Sequence, residues 1–145
     1  MIRTEKEYQE ALARLAADRQ FLEQQRERLQ EVGLRGDELE RAMHPALSFH
    51  DQLKEEIDTY KRIKRGEFDP LHNLTHIGRL LIGLRIARGM NQRELAERLG
   101  VSESVISRDE RNEYHGISVE RAQNILESLG VRFRLELEKP VLEAA

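Results

Sequence analysis

Few side chains of this 145-residue chain stand where they could do chemistry. His72 and His76 have the i, i+4 spacing that turns two imidazoles toward one metal ion, but no further histidine or carboxylate is placed to complete a site. His44 and His50 fall off a common helix face, so solvated or satisfied histidines are expected and no metal. The absence of cysteine excludes disulfides, thiolate ligands and a cysteine nucleophile. There is no glycine-rich phosphate loop and no Ser/His/Asp constellation, so neither catalysis nor a cofactor is expected. What remains is hydrogen-bonding capacity, concentrated in "NQRELAERLGVSESVISRDERN", Asn91 to Asn112. There Gln, Ser and Arg alternate with apolar residues at helical spacing, as in two short helices with a polar outer face.

The local signals in this stretch agree with one another. Asn91 is placed to cap a helix and Glu94, three residues on, to return the bond as a capping box. Leu95 and Leu99 face a core, and Ala96 is small where a crossing helix approaches. Gly100 falls where the chain leaves one helix sharply, which suits a positive φ. Val101 should bury the turn, Ser102 should cap the next helix, and Ile106 should pack inward. The pattern is that of a helix-turn-helix.

Around it the chain has a clear organisation. Residues 4–32 place Tyr8, Leu12, Leu15, Leu22 and Leu29 on one helix face, while Arg19 and Arg26 exclude a long dry coiled-coil seam. "GLRG", Gly33 to Gly36, supplies a stop and turn. A second helix with Leu39, Met43, Leu53, Ile57 and Tyr60 on one stripe should start at Asp37 as N-cap, with Pro45 kinking or restarting it. The two stripes either cover each other as a helical hairpin or leave one face free for a partner. "RGEFDP", Arg65 to Pro70, reads as a linker. "KRIKRG", Lys61 to Gly66, is a basic run that can brush phosphates or be simply solvated. Beyond the linker, Ile77, Leu80, Leu81, Leu84 and Ala87 form one helix face ended by Gly89. After "SVERAQNILESLG" the final element, "VRFRLELE", alternates with period two and is stopped by Lys139-Pro140, as a strand would be.

With the preceding "IGRLLIGLRIARGM", the stretch from Ile77 to Leu129 resembles the Xre or lambda-repressor/Cro-type helix-turn-helix family. The resemblance implies sequence-specific binding to DNA, with the second helix of the pair in the major groove. Carried over by position, it puts Gln92, with Arg93 beside it, on a backbone phosphate, and Glu103, Ser104 and Arg108 at base edges. Ser102 and Ser107 would meet flanking phosphates. Arg108 would pair bidentately with guanine and Glu103 would accept from cytosine. Two departures stand out. Asp109 replaces an apolar residue, and "ERNEYHGIS" replaces a short turn, so Tyr114 is expected to fill the gap, Arg111 and Asn112 to touch phosphate, and His115 to be solvated.

A lone strand needs a partner, and the simplest is the same strand of a second copy. Paired antiparallel about Leu135, Arg132 meets Glu138 and Arg134 meets Glu136 of the other copy, with Phe133 against Leu137 on the opposite face. Such a homodimer reads a palindromic operator with half-sites roughly 34–36 Å apart. It also accommodates the formal net charge of −3, because the acidic surplus (13 Lys/Arg against 16 Asp/Glu) lies in residues 1–70 while residues 71–145 are balanced.

The arm, with "IRTEKEYQEAL" and "LKEEIDTYKRIKRG", resembles HigA-type antitoxins. That resemblance implies a repressor that neutralises a small basic RelE/HigB-like ribonuclease and autoregulates its operon, meeting the toxin through Tyr8, Leu12, Leu15, Leu53, Ile57 and Tyr60. The alternative is a stand-alone Xre-family regulator with a structural or effector-sensing arm. The expected architecture is mainly α: a helical hairpin arm (1–66), a five-helix-type helix-turn-helix domain (67–130) and a C-terminal β-strand (131–139) that pairs across the dimer. With no apolar segment long enough to span a bilayer, a cytoplasmic location is expected.

Overall fold

The computed structural model describes residues 1–139, and all regular structure among them is helical. Helices α1 (Glu5–Glu31) and α2 (Gly36–Lys64) form the arm; α3 (Ile77–Ala87), α4 (Gln92–Leu99), α5 (Glu103–Arg111) and α6 (Val119–Ser128) follow a short 3-10 turn at Leu74–His76. No helix among the described residues is long and apolar enough to cross a membrane.

The arm is an antiparallel hairpin. Glu5 at the start of α1 meets Tyr60 and Lys64 at the end of α2, and Arg26 meets Glu40 in the other half. Thr4 caps α1 by accepting from the Glu7 N–H at 3.1 Å, and the Glu7 carboxylate accepts in turn from the Arg3 N–H at 2.7 Å. Gly33, at φ +95°, makes the expected turn. Helix α2 starts one residue before Asp37, which therefore lies in the first turn rather than at the cap; there its carboxylate still faces the positive end of the helix. Nor does Pro45 restart the helix, which continues through it. The missing backbone bond costs about 3 kcal/mol, and Leu39 and Met43 before Pro45, with Ile57 and Tyr60 after it, are buried on both sides of the defect.

Arm and C-terminal helices share one core. Leu81, Ile82 and Ile86 of α3, Leu95 and Ala96 of α4, Ile106 of α5 and Ile125 of α6 form its centre, and Ile2, Ala11, Ile57 and Tyr60 of the arm join the same cluster. The rings of Tyr8 and Tyr60 lie 4.8 Å apart at 30°, closing the seam between α1 and α2 beside α3. Each fully buried aliphatic side chain contributes about 1.5–3 kcal/mol, so the arm is fastened to the domain. The stretch "RGEFDP" is irregular as expected, yet Phe68 within it packs so closely over Gly83 that a Cβ there would stand 2.9 Å from its ring.

Residues 131–139 are without regular structure and exposed after Val131, so the expected strand is not formed in the single chain. The physical reason is the one that prompted the dimer: a strand needs an edge to bond to, and the described residues of one chain offer none. Pro140, the expected stop, lies outside the described residues.

Candidate nucleic-acid interface

The expected helix pair is present with its local devices. Asn91 Oδ1 accepts from the Glu94 N–H and Glu94 Oε2 from the Asn91 N–H, both at 2.8 Å, completing the capping box. Gly100 adopts φ +69°, the left-handed conformation that only glycine takes at little cost, and the Val101 N–H reaches back to the Ala96 carbonyl at 3.0 Å. Leu95, Ala96 and Ile106 are buried, whereas Val101 stays exposed on the turn instead of covering it. Ser102 occupies the N-cap position of α5, but its hydroxyl bonds to Ser104 Oγ at 2.9 Å and caps nothing. The first N–H groups of α5 are thereby left open.

Helix α5 turns two different faces outward and inward. Ile106 and Glu110 are fully buried, while Ser104, Ser107, Arg108 and Arg111 follow the i, i+3, i+4, i+7 rhythm of a single stripe on the other side. Ser104, Arg108 and Arg111 are exposed and Ser107 half-buried. Neither Arg108 nor Arg111 has a hydrogen-bond or ion-pair partner among the described residues. Two arginines held with free guanidinium forks on one helix face are suited to guanine edges and phosphates. Glu103, expected at a base edge, is exposed in the first turn of α5 and borders a cavity shared with Arg3 and Arg93. Asn112 is exposed at the helix end.

The buried side of α5 carries the feature that the sequence reading missed. Arg85 of α3 and Glu110 form a bidentate ion pair, side chains 3% and 0% exposed, with Nε to Oε1 at 2.5 Å and Nη2 to Oε2 at 2.8 Å. The guanidinium also donates to the Met90 carbonyl at 2.7 Å and to the Arg3 carbonyl at 2.8 Å. The Gln92 amide donates to Glu110 at 2.7 Å. One ion pair thus ties α5 to α3, to the start of α4 and to the chain's first residues. It also alters the part expected of Gln92: its amide is turned inward, and what it and Arg93 offer a phosphate is the pair of backbone N–H groups at the α4 terminus. The signal was present in the sequence. Arg85 stands four residues after Leu81, and Glu110 four after Ile106, each a charge in an otherwise apolar row.

The departures from the family pattern find their explanation at the other end of α5. Asp109 is bound by Arg121 of α6, whose guanidinium also lies 5.9 Å from the centre of the Tyr114 ring. Tyr114 fills the gap as expected and is buried. To reach it the chain puts Glu113 and Tyr114 at φ +52° and +51°, a conformation costing about 1–2 kcal/mol per non-glycine residue. Burial pushes the Tyr114 phenol well above its ordinary range, with the Glu110 charge adding to it. Helix α3 passes close under this turn at Gly78, where a Cβ would meet the Glu113 carbonyl oxygen at 1.8 Å. His115 is exposed, as expected.

Of the residues assigned to a partner surface on the arm, Ile57 and Tyr60 are buried in the core that the arm shares with the C-terminal helices, Tyr60 against Tyr8 of α1. Tyr8, Leu12, Leu15 and Leu53 are partly buried against the same core. His72 and His76 are both exposed, and among the described residues no group of three or more potential ligands could hold a metal.

Compared with known proteins, residues 82–135 match a family model described as helix-turn-helix, the Xre-type domain. The match takes in part of α3, all of α4 to α6 and the first residues after them, and leaves the arm outside. A domain of this class suggests a DNA-binding transcription regulator. No curated protein and no solved structure matches the chain.

Proposed function

We propose that this chain is a sequence-specific DNA-binding repressor that reads its operator with α5. The observation that carries the reading is Arg108, without a partner among the described residues, with Ser104, Ser107 and Arg111 on the outward face of a helix whose inward face is locked by Ile106 and Glu110. Arg108 would take guanine O6 and N7, the serines and Arg111 the adjoining edges and phosphates, and the N–H groups of Gln92 and Arg93 a backbone phosphate. Binding as a homodimer through residues 131–139 is part of the proposal. Exposed Phe133, Leu135 and Leu137 alternate there with Arg132, Arg134, Glu136 and Glu138, the composition of a self-complementary strand. Two copies would then read a palindrome.

Two roles for the arm remain, as an antitoxin surface for a small basic ribonuclease or as a structural part of a stand-alone regulator. The antitoxin reading rests on the HigA-type resemblance. The burial of Ile57 and Tyr60 in the core shared with α3 favours the stand-alone reading.

The test is Arg108→Ala, assayed on a duplex that the chain itself selects from a random library and on mixed-sequence DNA. A lost bidentate pair, about 1–3 kcal/mol, is roughly a 5- to 150-fold loss on the selected duplex alone. An equal loss on both duplexes would mean that Arg108 holds phosphate and that α5 does not read sequence through it.

A further inference from the structure

The outward stripe of α5 leaves unexplained the cavity of about 460 Å³ between the arm and the start of the helix pair, bordered by Arg3 and Lys64 on one side and by Gln92, Arg93 and Glu103 on the other. Three of its cations come from three separate segments: Arg3, one-fifth exposed, Lys64, half-exposed above the Tyr60 ring, and the exposed Arg93, each with one carboxylate partner. Arg3 pairs with Glu7 and Arg93 with Glu97, both at 3.3 Å within one helical turn. Lys64 Nζ pairs with Glu5 at 2.9 Å between half-exposed side chains. Pairs of this kind contribute little and leave donors free; an ammonium bound to one carboxylate keeps two N–H bonds for another acceptor. Opposing them in the cavity are Glu5 and Glu103, while Arg85 in its wall is neutralised by Glu110 behind it.

We propose that the arm is part of the nucleic-acid interface, with Lys64 and Arg3 holding the sugar-phosphate backbone of the same duplex that α5 reads. The inference rests on the DNA-binding reading above and extends its surface. Gln92, Arg93 and Glu103 border this cavity and also begin the two helices of the reading pair. A backbone that reaches the N–H groups of α4 therefore comes within reach of Lys64 and Arg3. The arm is held in that place: the Arg3 carbonyl receives Arg85, and Ile2, Ile57 and Tyr60 lie in the core. Contacts from a preordered segment lose little entropy on binding. The basic run "KRIKRG" then divides by function. Arg62 is paired with Asp69, Arg65 with Glu67 and Lys64 with Glu5, but of these only Lys64 borders the cavity.

The experiment is a salt titration of binding by the full chain, on the selected duplex and on mixed-sequence DNA, for the wild type, Lys64→Gln, Glu5→Gln and the exposed Lys54→Gln, which lies outside the cavity. Each variant is first checked for an unchanged thermal melt. Loss of one phosphate contact should flatten the slope of log K against log[salt] by about 0.9 in Lys64→Gln on both duplexes. Glu5→Gln, which frees Lys64 and removes an opposing charge, should tighten binding, and Lys54→Gln should change nothing. If the wild type binds but Lys64→Gln keeps its slope, or Glu5→Gln binds no better, the arm is outside the interface while the α5 reading stands. If the wild type binds neither duplex, both fall together.

Discussion

Removing the Glu110 carboxylate tests the buried network most directly. In Glu110→Ala the guanidinium of Arg85, 3% exposed, keeps its charge and its bonds to Met90 and Arg3 but loses both bonds of the fork, and Gln92 loses its acceptor. Breaking a buried pair by removing one partner costs about 3–5 kcal/mol, because an uncompensated charge is left in the interior. Set against a total stability of about 5–15 kcal/mol, that is a large fraction. In a chain of this length it corresponds to a melting temperature lower by roughly 10 °C. Urea unfolding followed by circular dichroism measures the loss, as a lower midpoint at an unchanged slope. The apolar pair Arg85→Met with Glu110→Leu removes both charges and should recover most of the stability, since an ion pair can be replaced by packed hydrophobic groups at little net cost. A single-variant loss below about 1 kcal/mol, or a double variant no more stable than the single one, would refute the view that Arg85 is held as a buried charge.

Three further outcomes are expected. The Tyr114 hydroxyl is buried without a protein partner among the described residues, so Tyr114→Phe should be more stable by about 1 kcal/mol. Because the folded-state pKa of Tyr114 is raised, its contribution is complete below the unfolded value of about 10 and is lost as pH rises beyond it, so the variant should also lose part of the alkaline decline in stability; a destabilised or equally alkali-sensitive variant would contradict this. Gly78→Ala should cost more than about 2 kcal/mol in urea, because the new Cβ would stand 1.8 Å from a backbone oxygen in the Glu113 turn and not against a movable side chain. Arg132→Glu with Arg134→Glu should convert a dimer to a monomer in light scattering by setting like charges opposite across the strand pair, and an unchanged mass would refute the pairing through residues 131–139.

How much of this could be read from the sequence depended on the reach of the interaction. The cap of α4 needs only Asn91 and Glu94, three residues apart, and the left-handed turn needs only Gly100, so both were legible. Apolar spacing correctly drew one face of each arm helix. It could not say what covers that face, and Ile57 and Tyr60 proved to be buried in the core shared by the arm and the C-terminal helices. The Arg85–Glu110 pair spans 25 positions and joins two residue types that are usually exposed, so only their intrusion into apolar rows hinted at it. Glu103 was put at a base edge by family position; it is exposed in the first turn of α5, three and seven residues before the buried Ile106 and Glu110. The last segment alternates like a strand, but its hydrogen-bonding partner lies beyond one copy of the chain.

The reach of Arg85 also sets an order of events during synthesis. Its acceptors lie 82 residues before it, at the Arg3 carbonyl, and 25 after it, at Glu110. As the chain leaves the ribosome, α1 and α2 can meet first, since their pairing is local and closes over a short turn. The end of the hairpin that carries Ile57 and Tyr60 has no seat until α3 emerges, and the guanidinium of α3 stays in water until α5 follows. Seating of the arm therefore needs α3, and the burial of Arg85 needs Glu110 as well, so the last of these contacts can close only when α5 is made. Such long-range closure slows folding relative to a bundle built from neighbours alone, and it leaves no completed reading helix on a nascent chain that stops short of residue 110.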